Sequence, residues 1–210
     1  MTSELLKGLN QHLTLEFRAA HEYLAMSIWL SEHDLPGFAT WMKKQSSDEL
    51  LHAQRIIDHI VERDQKAVLP AIAAPPMAWK SAEALCAHVL KNEQDVTASI
   101  NNLYALAEKA KDRPATVMLQ WFVNEQMEEE AAARAVLGRI RLAGNTGVGL
   151  LMIDQELAGG SVPGIARNLQ AGRLHSVALT ASSYTTGQSV TWVESREGCG
   201  STFTVYLPTT

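Results

Sequence analysis

Hydrophobic residues recur at helical spacing in four long segments of the chain, and in each segment they form one apolar face of a predicted helix. The approximate limits of the four segments are 3–33, 36–64, 81–112 and 114–144. A shorter apolar segment over 149–157 predicts a fifth helix, which Gly159 and Gly160 end. Ser3 is the expected N-cap of the first helix, and Gly144 with Asn145 suits the end of the fourth.

The connections between these segments predict how the helices follow one another. Pro36 opens the second helix directly after the first, and Pro114 opens the fourth directly after the third. Between the second and third helices, residues 65–80 contain Pro70, Pro75 and Pro76, which exclude a continuous helix and favour a long extended crossover. The pattern therefore predicts an all-α fold, a four-helix bundle of the up-down-down-up kind with a short fifth helix.

After residue 160 the composition changes, because Ser, Thr and Gly dominate and helical periodicity fades. The stretches 189–194 and 201–207 favour strands, and Gly198 and Gly200 suit a hairpin turn between them. We therefore predict two domains, a helical one over 1–160 and a β-prone C-terminal extension over 161–210.

Several polar residues fall on the apolar stripes, where a bundle core is expected. They are Glu16 in the first helix, Glu49 and His52 in the second, Glu93 in the third, and Gln126 and Glu129 in the fourth. The i, i+3 spacing of Glu49 and His52 places both side chains on one helix face. Buried carboxylates are unfavourable by several kcal/mol unless positive charge compensates them, and two metal ions are the simplest source of that charge.

This arrangement is that of bundles that carry two metal ions, with one Glu from each of two helices and Glu-x-x-His from the others. Glu16 and Glu93 supply the single glutamates, and Glu49 with His52 supplies one Glu-x-x-His. The fourth helix departs from the pattern, because Gln126 and Glu129 replace the second Glu-x-x-His. A ligand set that is mostly carboxylate suits a hard metal such as iron.

From about Leu5 to Leu157 the chain resembles a bacterial non-haem ferritin. The stretches that carry the resemblance are LTLEFRAAHEY, DELLHAQR, KNEQD, LQWFVNEQMEEE and GLLMIDQEL. Leu50 stands where bacterioferritins have a haem-ligating methionine, so no haem is expected. The presence of a fifth helix and an intra-bundle site separates the chain from the small DNA-protecting relatives.

The resemblance implies a role for each polar residue. A first iron is held by Glu16, Glu49 and His52, and a second by Glu49, Glu93 and Glu129, with Gln126 beside the second. A third, looser iron site corresponds to Asp48, Glu125, Glu128 and Glu129, with Asp48 standing where glutamate is usual. Tyr23 and Trp121 match aromatic residues that donate electrons during oxygen reduction.

The resemblance also implies the activity: a ferroxidase that oxidises Fe(II) with dioxygen or peroxide and stores it as a ferric mineral inside a 24-subunit shell. Two alternatives stay open. One is a ferritin-like scaffold that docks through its C-terminal extension, and the other is a di-iron oxidase of an organic substrate.

Composition limits the partners further. The formal net charge is −5, and no dense basic patch occurs, so nucleic acid is not expected as a partner. The N-terminal stretch lacks the features of a signal peptide, and no apolar run approaches the roughly 20 residues of a membrane span. Cys86 and Cys199 fit no zinc motif or disulfide framework. The cytoplasm is the expected location.

The end of the chain, VTWVESREGCGSTFTVYLP, resembles the last strand pair of the ATP-binding domain of sensor histidine kinases. The match covers only about 20 residues and omits the segments that hold nucleotide, so it implies no kinase activity. We interpret the extension as a fused remnant, with an added docking segment as the alternative. An isolated hairpin is marginally stable in water and needs a partner surface.

Overall fold

The computed structural model describes residues 1–144, 146–159, 189–196 and 199–206, with only the backbone described in the last two ranges. Within these residues the chain forms five α-helices followed by two β-strands. The helices are α1 Ser3–Glu32, α2 Pro36–Val61, α3 Ala82–Lys109, α4 Arg113–Leu142 and α5 Gly147–Ala158, and the strands are β1 Ser189–Arg196 and β2 Cys199–Tyr206. Residues 65–79 contain no helix or strand, as the prolines predicted.

The long helices pack as two helical hairpins, α1 against α2 and α3 against α4, with α1 also against α3. The crossover over 65–80 joins the two hairpins, and α5 packs against α2 and α4. The predicted four-helix bundle with a short fifth helix is therefore confirmed. Among the described residues, no helix is both long and apolar enough to cross a lipid bilayer.

Four of the five helices begin with a side chain that caps the first turn. The capping oxygens of Thr2, Ser81, Asp112 and Thr146 accept hydrogen bonds from backbone N–H groups three residues later. The prediction that Ser3 caps α1 was wrong by one residue. Thr2 holds the extended conformation that a cap requires, and Ser3 is already helical.

The long helices α2 and α3 end about three residues earlier than the sequence pattern predicted. The cause is a left-handed backbone shortly after each end, with φ 53° at both Asp64 and Lys111. The N–H of Gln65 bonds back to the carbonyl of Ile60 at 3.1 Å, which closes the end of α2. Asp112 is thereby free to cap α4 instead of continuing α3.

The start of α2 lacks a cap of its own, because Leu35 at the N-cap position has no side-chain acceptor. Asp154 of α5 supplies the acceptor: its Oδ1 takes a hydrogen bond from the N–H of Phe38 at 2.9 Å. A second polar link joins α5 to the bundle, since Arg139 of α4 pairs with Glu156. The fifth helix therefore satisfies a free helix end as well as covering apolar surface.

The core consists of two apolar clusters placed end to end along the bundle. One contains Leu5, Leu9, Ile56 and Phe122 among others, and the other contains residues such as Met26, Phe38 and Val136. In every long helix the polar residues of the stripe lie between the segments that form the two clusters. Leu24, four residues after the buried Ala20 on the same helix, is nevertheless 45% exposed.

The C-terminal strands pair antiparallel, with Ser195 opposite Gly200. Gly200 is thus a strand residue, so the prediction that it belongs to the turn was wrong. Gly198, the other residue predicted for the turn, lies outside the described residues. Contacts within the chain divide it into two units, Met1–Asn168 and Leu169–Thr210. The domain limits of 1–160 and 161–210 remain a prediction.

Candidate metal centre

The six polar residues of the inward stripes meet at the level where the two apolar clusters separate. All six are between 0% and 3% exposed. They are Glu16, Glu49, His52, Glu93, Gln126 and Glu129. Four long helices thus bring four carboxylates, one imidazole and one amide into one buried layer. Such a layer is unfavourable without compensating charge.

Three of these side chains form a compact group of ligand atoms. One atom each from Glu16, Glu49 and His52 lies within 4.8 Å of the other two. His52 Nδ1 is 3.3 Å from Glu49 Oε2 and 3.8 Å from Glu16 Oε2. A single metal ion placed among them would reach all three side chains.

The pKa values of the buried carboxyls show that the layer lacks positive charge. Burial raises the pKa of Glu49 well above its usual range, and the charges of Glu93 and Glu16 raise it further. Burial likewise raises the pKa of Glu93 to about 7, and burial followed by the charge of Glu93 raises that of Glu129. Each of these shifts disfavours the ionised form of the carboxyl, and a bound cation would act in the opposite direction.

Glu16 behaves differently from the other three carboxyls. Burial alone would raise its pKa, but the adjacent imidazoles of His12 and His52 overcome that effect and hold it at about 2. Glu16 is therefore ionised before any metal binds.

Three carboxylate oxygens in the layer accept no hydrogen bond from an N–H or hydroxyl group of the described residues: Glu16 Oε2, Glu49 Oε1 and Glu93 Oε2. A buried acceptor without a partner is rare in native proteins. Oxygen ligands of this kind are those that hard divalent and trivalent ions prefer. The donor set therefore suits such an ion, and the charges of Glu93 and Glu16 both act on Glu49.

The second half of the layer is held by polar neighbours. Tyr23 Oη donates a hydrogen bond to Glu93 Oε1, and Gln45 Nε2 donates to Glu129 Oε2 at 2.5 Å. Gln126 Oε1 accepts a hydrogen bond from Thr97 Oγ1 at 3.1 Å. Each hydrogen bond orients one side chain of the layer.

Two aromatic residues flank the layer as the sequence predicted. Tyr23 is fully buried, and burial together with Glu93 raises the pKa of its phenol well above the usual value. Trp121 packs edge-to-face against His52, with ring centroids 5.5 Å apart. The guanidinium of Arg55 lies 4.1 Å from the centre of the Trp121 ring, a cation–π contact that fixes the indole.

Three of the residues predicted for a third site, Asp48, Glu125 and Glu128, are half-buried, whereas the fourth, Glu129, is part of the buried layer. Burial raises the pKa of Glu125; His52 opposes this, and the charges of Glu128 and Asp48 add to it. Asp48 is also paired with the ammonium of Lys44, one turn earlier on α2. A metal at this position therefore competes with a cation that the chain itself supplies.

Besides Thr97, two residues that contact the layer were not predicted from the sequence. His12 Nε2 lies 2.6 Å from Glu16 Oε1, and Gln45 contacts Glu129. Both had a detectable signal: each precedes a predicted ligand, Glu16 or Glu49, by four residues and so shares its helix face.

The family model of the ferritin-like domain matches residues 6–143. The bacterial non-heme ferritin of Escherichia coli O6:H1 is 32% identical over 155 residues, which cover 74% of this chain and 94% of that protein. The bacterial non-heme ferritin of Staphylococcus saprophyticus is 35% identical over 158 residues, which cover 75% and 95%.

Solved structures give the same result. The open pore ferritin of Archaeoglobus fulgidus superposes with a TM-score of 0.73 at 35% identity, covering 75% of this chain and 98% of that one. An engineered closed form of the same ferritin gives a TM-score of 0.72. None of these relatives is named as a kinase, so the resemblance of the last two strands to a kinase domain stays a prediction. With a matching family model, relatives above 30% identity and the buried carboxylate layer, the chain belongs to the ferritin family.

Proposed function

We propose that this protein is an iron-storage ferritin that oxidises Fe(II) inside its four-helix bundle and deposits the Fe(III) as a mineral. The observation that carries the proposal is the buried layer, in which three carboxylate oxygens accept no hydrogen bond from any N–H or hydroxyl group that the structure describes. A structural polar network would satisfy these oxygens. Oxygens left free beside an imidazole are ready to receive metal ions as the substrate.

The proposed division of ligands follows the contacts. Glu16, Glu49 and His52 hold the first iron, and Glu49, Glu93 and Glu129 hold the second, with Gln126 beside it. The reaction removes one electron from each of two ferrous ions. Dioxygen takes up the two electrons with two protons to give hydrogen peroxide, or peroxide takes them up with two protons to give two waters. Tyr23, bonded to Glu93, and Trp121, packed on His52, are proposed electron donors.

The remaining expectations belong to the same proposal. We infer a homo-oligomeric shell of 24 subunits in the cytoplasm, with no bound haem, because Leu50 cannot ligate iron. The extension over 161–210 is proposed as an addition to a complete ferritin domain, since all the proposed ligands lie before residue 130.

Iron loading separates this function from the two alternatives. Purified protein is given increasing Fe(II) in air, and the iron retained per assembled particle is counted after gel filtration. Storage predicts hundreds of irons per particle, whereas an oxidase of an organic substrate retains about two per subunit and a scaffold retains none.

The third site is expected to act after the first oxidation. Glu125 and Glu128 flank Asp48 at the edge of the layer, so they are placed to lead Fe(III) away from the two-iron centre. Replacing both, Glu125→Ala with Glu128→Ala, should leave the first burst of oxidation within about twofold and slow later turnovers several-fold. Stopped-flow absorbance with repeated Fe(II) additions measures both phases.

A matched control for this pair replaces two exposed glutamates elsewhere, Glu32→Ala with Glu108→Ala. That protein should keep both phases at the wild-type rate. Equal losses in burst and turnover for the Glu125 and Glu128 pair would instead assign these acids to the two-iron centre or to folding.

A further inference from the structure

His12 is a second buried imidazole at the metal centre, and the proposed ligand set does not use it. It is 1% exposed and lies one helical turn before Glu16 on α1. Its Nε2 is 2.6 Å from Glu16 Oε1, and its Nδ1 is 2.7 Å from the hydroxyl of Ser99 on α3. Both ring nitrogens are therefore engaged, and the contacts link two helices of the bundle.

The hydrogen-bond chemistry fixes the direction of this chain of contacts. A carboxylate only accepts, so Nε2 of His12 must carry the proton that binds Glu16 Oε1. The second hydrogen bond joins Nδ1 to the Ser99 hydroxyl, which can both donate and accept. Since Nε2 already donates to Glu16, its lone pair is not available for a metal, and His12 is excluded as a direct ligand at this nitrogen.

The contact with His12 restrains the orientation of the Glu16 carboxylate. One of its oxygens, Oε1, is held by His12, while the other, Oε2, accepts no hydrogen bond from an N–H or hydroxyl group in the described part of the chain and lies 3.8 Å from His52 Nδ1. The carboxylate is thus turned so that a single oxygen faces the place where Glu49 and His52 also point. By contrast, Glu49 has no such restraint from His12 and can offer an oxygen to each of two ions.

We propose that Ser99 and His12 form a relay that positions Glu16 as a one-oxygen ligand of the first metal only. This inference rests on the proposed two-metal centre and adds a positioning residue to it. Hydrogen-bond partners behind metal ligands typically change metal affinity by about 10–100-fold. The relay is expected to act on the first ion and to leave the second, held by Glu93 and Glu129, nearly unchanged.

Anaerobic titration with Co(II), followed by its visible absorbance and by calorimetry, tests the relay without any oxidation. Wild-type protein should bind two Co(II) per subunit at the two-metal centre, apart from any weaker binding at the looser third site. His12→Phe, which keeps a flat ring beside Phe122, should weaken one of the two ions by about 10–100-fold. His12→Gln should restore most of the affinity, because its amide N–H can still donate to Glu16. His21→Gln, an exposed histidine on the same helix, is the matched control and should bind as wild type.

A double-mutant cycle shows whether His12 acts through Glu16. In a Glu16→Gln background, His12→Phe should cause no further loss of Co(II) affinity. If His12 had a purely structural role, His12→Phe would lower the affinity in both backgrounds and for both ions alike. That second pattern, or wild-type affinity in His12→Phe, overturns the relay. If His12→Phe does not fold, Ser99→Ala is measured instead, once with Glu16 and once with Glu16→Gln. A loss of affinity for one ion only, seen only when Glu16 is present, supports the relay. No loss of affinity overturns it. Wild-type protein that binds no Co(II) overturns the proposed function together with the relay.

Discussion

Replacing Glu49 by glutamine should lower the initial rate of Fe(II) oxidation by more than about 100-fold, while the helical fold is kept. Partners behind a metal ligand change affinity by about 10–100-fold, and Glu49 is proposed to touch both irons directly. The amide keeps the shape of the side chain but cannot bring a negative oxygen to each ion. Stopped-flow absorbance after anaerobic mixing with Fe(II) and then with oxygen gives the rate.

The thermal stability of the metal-free Glu49→Gln protein should rise or stay unchanged, although its oxidation rate falls. Burial and the charges of Glu93 and Glu16 raise the pKa of Glu49 well above its usual range, so the metal-free protein gains nothing from its negative charge. Thermal unfolding of Glu49→Gln without metal should therefore match or exceed wild type. Glu108→Gln, an exposed position on α3, controls for loss of a carboxylate. An unchanged oxidation rate in Glu49→Gln would contradict the two-iron assignment.

Gly37→Ala should be the most destabilising single-methyl change in the helical domain. A Cβ at Gly37 would lie 1.9 Å from the backbone oxygen of Asp154 and 2.8 Å from its carbonyl carbon. Backbone atoms cannot swing aside as a side chain does, so α5 must move away from α2. That movement breaks the Phe38–Asp154 hydrogen bond and exposes Ile153 and Leu157. Overpacking of this kind typically costs about 1–3 kcal/mol, which corresponds to a fall of roughly 2–12 °C in Tm.

A second glycine provides the matched control. Gly138 lies in α4 with nothing within 4 Å of its added Cβ, so Gly138→Ala should stabilise the protein by about 0.5–1 kcal/mol through helix propensity alone. Differential scanning calorimetry of both variants measures the contrast. Gly37→Ala should also keep the initial oxidation rate, because Gly37 is 12 residues, about 18 Å along α2, from Glu49. A Tm at or above wild type would show that α5 does not press on α2 as described.

The local sequence pattern determined most of the bundle. Apolar residues at helical spacing, prolines at helix starts and three prolines in the crossover are sufficient, because each acts within a few residues of its own position. The same spacing placed all six polar residues, from Glu16 to Glu129, in the core. Their burial could be predicted because a residue's place on a helix face depends only on its number along that helix.

Tertiary structure alone decided which groups meet across helices. The contact of His12 with Ser99, the cap that Asp154 gives to α2 and the fit of α5 against Gly37 each join residues more than 80 positions apart. The exposure of Leu24 likewise depends on tertiary structure. The position of a residue along a helix gives the direction of its side chain, but it does not show whether another element packs there. These features depend on distances between separate elements, and the spacing of residues within one element carries no information about those distances.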